Sequence, residues 1–460
     1  MPSTGSSRVA MVSRAAAGRW SAAAGSLRAA GRAVAAVVGW LRARTRTHGA
    51  GESGLAQLME LQAVQSAGDA LVAVSLAGTL FFGVPVGQAR GRVALYLLLT
   101  MAPFALLAPV IGPALDRVRR GRRVAMATTM LGRALLAWAM ARALVTANPI
   151  ALYPAAFGVL VLSKAYAVSR GAVIPRVLPD GTGLVRANAR LTLAGLVLAT
   201  VAAAVGAGVS SLVGPAWTLR LAAAVFLGGS FLAFLMPAHV DCADEPAAGW
   251  DELDPEAGAG LAARLRRGFG PVVGTAMGAA AATRALGGFL TLYLAFLVRT
   301  HPLGGLGSGP ALGVIIAGAA VGGLVGTGIG ARLPSGRPEA LVVLAAGAAT
   351  VACALAAVLF GLAAVVAVAL VAGLAQSLSK LALDALIQRE VREQVRSSVF
   401  ARSETTLQLA WVLGGGVGVV LPVPGALGLG LAATVLAAAF VGTVRGLRGT
   451  RLVRRPVSNR

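Results

Sequence analysis

"LSKAYAVSR", Leu162 to Arg170, and "LSKLALDAL", Leu378 to Leu386, hold the only two lysines of a 460-residue chain that otherwise takes its positive charge from arginine. Lys164 and Lys380 lie 216 residues apart, each behind Leu-Ser. The same spacing joins Gly112 to Gly328 and Arg186 to Arg402, and Asp69 of "GDALVAVSLAGTLFF" stands 215 residues before Arg284 of "TRALGGFLTLYLAFL". One offset kept to within a residue at four separate loci points to an internal duplication, so the expected architecture is two copies of one unit.

Composition says where those units reside. Hydrophobic residues make up 57% of the chain and charged ones only 13%, far more apolar surface than one soluble core can bury. Apolar stretches recur near 61–83, 93–115, 124–146, 150–170, 191–213, 217–236, 271–298, 310–331, 340–360, 363–386, 405–424 and 426–446, each about long enough to cross a bilayer. The fold class expected is an all-α membrane protein of 12 transmembrane helices in two six-helix repeats. The first bundle covers 55–236 and the second 270–447, joined by an acid-rich linker over 237–269. Residues 1–54 form a basic arm, read either as a helix lying on anionic lipid or as a disordered tail. No uninterrupted apolar core marks this arm as a signal peptide. A short basic tail follows at 448–460.

The formal charge of +24 does not indicate nucleic acid, because its arginines cluster between apolar runs. Of the 41 basic residues, 32 fall in the arm, the tail and alternate loops, against Arg90, Arg92, Arg142, Arg220 and Arg299 on the other side. That bias places both termini in the cytoplasm of a multi-pass plasma-membrane protein. Two cysteines, Cys242 and Cys353, offer no disulfide framework, and His48, His239 and His301 all lie outside the spans. Neither metal nor cofactor is expected, no phosphate-binding loop is present, and no residue is assigned a catalytic role.

Between the second and third spans runs "GPALDRVRRGRR", Gly112 to Arg123. Together with the parallel repeat, it resembles the loop signature of the major facilitator superfamily: Gly112, Asp116, Arg117, Gly121, Arg122 and Arg123. Gly121 stands two residues later than the family pattern has it, and Arg332 replaces the acid in the second copy. The resemblance implies alternating access between two bundles, with this loop gating the change. The alternative is that its arginines only anchor the cytoplasmic side. It also implies a cavity lined by spans 1, 4, 7 and 10. A general likeness to actinobacterial efflux permeases implies export. The glycines of "VGAGVSS" (Val205 to Ser211) and "LGGGVGVV" (Leu413 to Val420) suit close helix packing, without the proline that drug–proton antiporters carry in span 5.

Ionisable residues inside spans are costly and mark function by default. Those read from the sequence are Asp69, Arg133, Lys164, Arg284, Lys380 and Asp384, and all but Arg133 fall on spans 1, 4, 7 and 10. Asp69 shares a helical stripe with Gln62, Gln65 and Ser66. It is expected either to carry the coupling proton or to form a fixed ion pair with Arg284. Gln376 and Asp384 flank Lys380 by one turn each, whereas Lys164 must look to another helix or to substrate. Both lysines lie in the cytoplasmic half of their spans, so snorkelling to headgroups is the competing reading. Arg133 is read either as packing against the loop between spans 2 and 3 or as serving transport. The excess of two positive charges among these six suggests an anionic or amphipathic small-molecule substrate. The function expected is proton-coupled efflux of such a molecule, with an importer or flippase for an anionic compound, or a non-transporting scaffold, as alternatives. The partners expected are that substrate, protons and membrane lipids, and the working unit a monomer.

Overall fold

The computed structural model describes residue 39 and residues 53–80, 121–179, 182–241, 270–300, 305, 307–333, 337–421 and 423–453. The basic arm, span 2, most of the linker and the extreme tail lie outside the described residues, and with them Gly112, Asp116 and Arg117. Regular structure among the described residues is helical throughout. In chain order it comprises α1 Leu55–Leu80, α2 Arg122–Val145, α3 Pro149–Val173, α4 Leu184–Val213, α5 Pro215–Phe234, α6 Gly270–Thr300, α7 Ser308–Arg332, α8 Pro338–Val358, α9 Leu362–Glu390, α10 Glu393–Val420 and α11 Gly425–Val453. These eleven correspond to spans 1 and 3–12 of the sequence. Short 3-10 turns follow α3 at Ile174–Val177 and α5 at Ala238–Asp241.

Nine of these helices are long and apolar enough to cross a membrane. The other two, α1 and α10, have the length, but polar residues dilute them: Gln57, Glu60, Gln62, Gln65 and Asp69 on α1, and Arg402, Glu404, Thr405, Thr406 and Gln408 on α10. The same dilution explains the largest boundary error of the sequence reading, which starts span 11 at 405. The helix begins at Glu393, and its early turns bury Val399, Phe400 and Ala401.

The chain's contacts divide into two compact units. The first is drawn from Met1–Pro85, Met126–Ser163 and Ala194–Met236, the second from Val86–Ala125, Lys164–Leu193 and Pro237–Arg460. In the first unit α1 packs on α5, so closely that a Cβ at Gly68 would lie 2.2 Å from the Phe226 ring. In the second, α6 pairs with α10, α7 with α9, and α8 with both α9 and α11.

Small residues set those helix spacings, because lipid offers no hydrophobic drive for one helix to join another. Gly318, Gly322 and Gly326 recur every four residues along α7 and face α9. A Cβ at Gly322 would lie 1.8 Å from the Leu370 carbonyl oxygen, and one at Gly373 would lie 2.1 Å from that of Ala319. Between α6 and α10, Gly414 and Gly288 meet backbone equally closely, at 2.0 Å from the Ala285 oxygen and 1.9 Å from the Trp411 oxygen. The expectation for "LGGGVGVV" therefore holds at Gly414. Backbone cannot move aside as a side chain can. Gly322→Val is expected to destabilise the protein by about 3 kcal/mol or more, seen as a fall in its thermal unfolding midpoint in detergent, while Gly313→Ala, whose Cβ would meet nothing within 4 Å, leaves the midpoint in place.

Candidate functional site

Gln376, Lys380, Asp384 and Gln388 follow one another at four-residue intervals, which places them on one stripe of α9. Lys380 donates to two carboxylates, Asp384 Oδ1 at 2.6 Å and Glu404 Oε1 of α10 at 2.5 Å. One ammonium is thus divided between two acids. Its side chain remains 34% exposed and that of Glu404 25%, against 10% for Asp384. One turn earlier, Gln376 accepts from Arg284 Nη1 of α6 at 3.2 Å. One turn later, Gln388 accepts from Asn188 Nδ2 of α4 at 2.7 Å and donates to the Gly171 carbonyl of α3 at 3.1 Å.

Two small cavities open onto this stripe. One, of about 80 Å³, is lined by Thr283, Arg284, Gln376, Lys380, Glu404 and Gln408 among others. The second, of about 50 Å³, includes Arg170, Asn188, Lys380, Asp384, Gln388 and Glu404. Lys380 and Glu404 belong to both, so their ion pair stands between the two. Arg284 occupies the middle of a 31-residue helix and is nevertheless exposed, toward the first cavity. Lys164 borders neither cavity.

The first unit holds a separate polar network. Arg133, fully buried on α2, hydrogen bonds to Gln65 and ion-pairs with Asp69, both on α1, and its guanidinium lies 4.0 Å over the Phe226 ring of α5. The other Asp69 oxygen accepts from Gln65 Nε2 at 2.7 Å and from Ser163 Oγ at 3.2 Å. Gln62 donates to Ser66 along the same stripe at 3.0 Å. A planar ion can be buried this way because its face stacks while both terminal nitrogens are bonded. Arg133 is thus an ion-pair partner of Asp69, a pairing the sequence did not indicate, because α2 brings a guanidinium directly against α1.

Gly121 holds φ +94°, a conformation that glycine adopts without penalty, and turns the chain into α2. Arg122 Nη2 reaches Glu393 at 3.2 Å, and Arg176 pairs with the same carboxylate. Arg123 binds Asp241 through its backbone N–H at 3.0 Å and its Nε at 2.6 Å. Both described arginines of the loop are therefore engaged by acids.

Sequence reading missed Glu404, Glu393, Asn188 and Gln388. The duplication carried a signal for one of them, since Glu404 stands 216 residues after Asn188. Starting span 11 one residue later removed it from consideration. With Glu404 added to the six read from the sequence, the set holds four positive and three negative charges, so its excess is one rather than two.

A family model described as the Major Facilitator Superfamily matches residues 58–415. An uncharacterised protein of Mycobacterium leprae is 38% identical over 443 residues, covering 90% of this chain and 76% of its own. Another, from Mycobacterium tuberculosis H37Rv, is 38% identical over 433 residues, covering 88% and 78%. Among solved structures, a bacterial homologue of the iron transporter ferroportin in an outward-facing state aligns with TM-score 0.62 at 18% identity, over 86% of this chain and 99% of that one. The human organic anion transporter MFSD10 aligns with TM-score 0.63 at 17% identity, over 85% and 99%.

Removing Arg133 would leave Asp69 without its counter-ion. Arg133→Met is expected to cost about 2–3 kcal/mol, less than the ~3–5 for a fully buried pair because the Asp69 side chain is 41% exposed. Adding Asp69→Asn should recover part of the loss, and thermal unfolding of the two single variants and the double variant measures the coupling.

Proposed function

The chain belongs to the major facilitator superfamily, whose members are secondary transporters of small molecules, and we propose that this one is a proton-coupled exporter acting as a monomer in the plasma membrane with both termini in the cytoplasm. One observation carries the reading. At mid-span the exposed Arg284 lines the same cavity as Lys380 and Glu404, and Lys380 is shared between Glu404 and Asp384. A guanidinium at that depth needs water or a ligand, which a substrate vestibule supplies.

The shared lysine supports the coupling. When either carboxylate takes a proton, its claim on Lys380 lapses and the ammonium moves wholly to the other, which alters the α9–α10 contact. Two arrangements of one contact are what protonation needs in order to bias a conformational equilibrium. Asp69 is the second candidate carrier: protonation there would release Arg133, Gln65 and Ser163 together. The gating assignment of Gly112, Asp116, Arg117, Gly121, Arg122 and Arg123 rests on the family motif, and the ion pairs of Arg122 and Arg123 suit contacts that form in one state and break in another. Export rests on the resemblance to efflux permeases and is an analogy.

A second reading, an anionic substrate moved in either direction, is favoured by the charges around the cavities. Arg170, Arg284 and Lys380 outnumber Asp384 and Glu404 by one. MFSD10 is an organic anion transporter, but at 17% identity that likeness speaks for the fold alone.

Comparing the metabolites released by a deletion strain and its parent identifies the transported compound, which is then loaded into proteoliposomes under an imposed pH gradient. Glu404→Gln, Asp384→Asn or Asp69→Asn, whichever residue carries the proton, is expected to reduce gradient-driven flux about tenfold, a loss of ~1.4 kcal/mol. Undiminished gradient dependence in all three variants refutes the coupling, and absence of flux in the unaltered protein favours a scaffold. Lys380→Arg tests the lysine separately: a compact, mobile ammonium is expected to be required, and full activity of the variant would show that charge alone suffices.

A further inference from the structure

Arg220 of α5 is held between two indoles. Its guanidinium carbon lies 4.5 Å from the Trp217 ring centroid and 6.0 Å from that of Trp138 on α2. Both indoles are about half exposed, at 50% and 53%. Among the described residues Arg220 has no hydrogen-bond or ion-pair partner, although its edge carries five donors. Among the described residues no acid serves as one. From Arg122 to Met236 the sequence has a single carboxylate, Asp180, and Asp69 is occupied by Arg133. Glu60 lies near the start of α1, while Ser75, donating to the Pro215 carbonyl at 2.9 Å, brings the end of α1 to the start of α5.

What lies along the helix from Arg220 narrows the choice of ligand. Ala224, Leu227 and Phe231 follow at intervals of four, seven and eleven residues, on the same face of α5. All three are exposed, Leu227 at 56% and Phe231 at 67%. This face therefore presents a cation in the second turn of the helix, then a small residue, then an apolar track. The order matches an amphiphile with an anionic head and a hydrocarbon tail.

We propose that this face of α5 is a binding site for an anionic phospholipid, its phosphate on Arg220 and an acyl chain along Ala224, Leu227 and Phe231. The indoles hold the guanidinium plane by cation–π contact and leave its edge donors for the phosphate oxygens, which a guanidinium can engage in a bidentate manner. Aromatic residues at a membrane interface ordinarily anchor a helix without selecting among headgroups. Selection among headgroups is what the cation adds.

Tryptophan emission of the full-length protein in vesicles, with Trp20, Trp40, Trp250 and Trp411 replaced by phenylalanine so that only Trp138 and Trp217 report, reads the site. Phosphatidylglycerol with brominated acyl chains should quench Trp138 and Trp217 more strongly than brominated phosphatidylcholine at equal bromine content, corresponding to about fivefold greater relative affinity. In Arg220→Gln, checked for unchanged helicity by circular dichroism, the two lipids should quench alike. Equal quenching by both lipids in the unaltered protein overturns the proposal whatever the variant does, as does a preference that survives Arg220→Gln. If millimolar inorganic phosphate abolishes the preference, the site takes free phosphate and the lipid assignment falls.

Discussion

An ionised side chain within a bilayer costs about 2.5–3.5 kcal/mol at mid-span on insertion scales, and most of the arrangement of polar groups in this protein answers to that cost. The two units meet it differently. In the first, Arg133 and Asp69 neutralise each other, with Gln65, Ser163 and the Phe226 ring engaging what remains of both. In the second, three cations and two acids lie around two cavities, and a single ammonium serves both acids. The first pair is held by bonds from several side chains at once, whereas the Lys380 ammonium is divided between two acids.

Duplication followed by divergence explains how one chain holds both solutions. Lys164 and Lys380 keep the ancestral register, as do Ser163 and Ser379 beside them. Where the first copy has Asp69 the second has Arg284, and where the first has Asn188 the second has Glu404. Each exchange reverses or creates a charge at an equivalent position of the repeat. Asn188 still contributes to the second unit through its hydrogen bond with Gln388, so a position that lost or never gained a charge kept a polar task.

Much of the fold was legible in the sequence because hydrocarbon thickness imposes a length and an apolar composition on every spanning helix. Eleven of the twelve spans coincide with helices, with ends displaced by a few residues except at α10. That exception follows from the same rule: a helix with a polar functional face is less apolar than its neighbours, so hydropathy begins it too late and Glu404 falls outside. The stripe of Lys380 and Asp384 was legible because both lie on one helix. The Asp69–Arg133 pair was not, since it joins α1 to α2 and nothing in the spacing of a single sequence states which cation reaches a given acid. Arg220 illustrates the limit from the other side, since the sequence alone presents it only as a loop charge on the side poor in arginine.

The glycine ladder between α7 and α9 has a mechanical consequence. Where carbonyl oxygens rest against Cα atoms, two helices can neither slide by a fraction of a turn nor rotate about their own axes without collision. α7 and α9 are thereby fixed as one strut. Any rearrangement that reaches the polar stripe must tilt this strut as a whole, and changes of cargo over evolution are confined to the edge of α9 that looks away from the glycines.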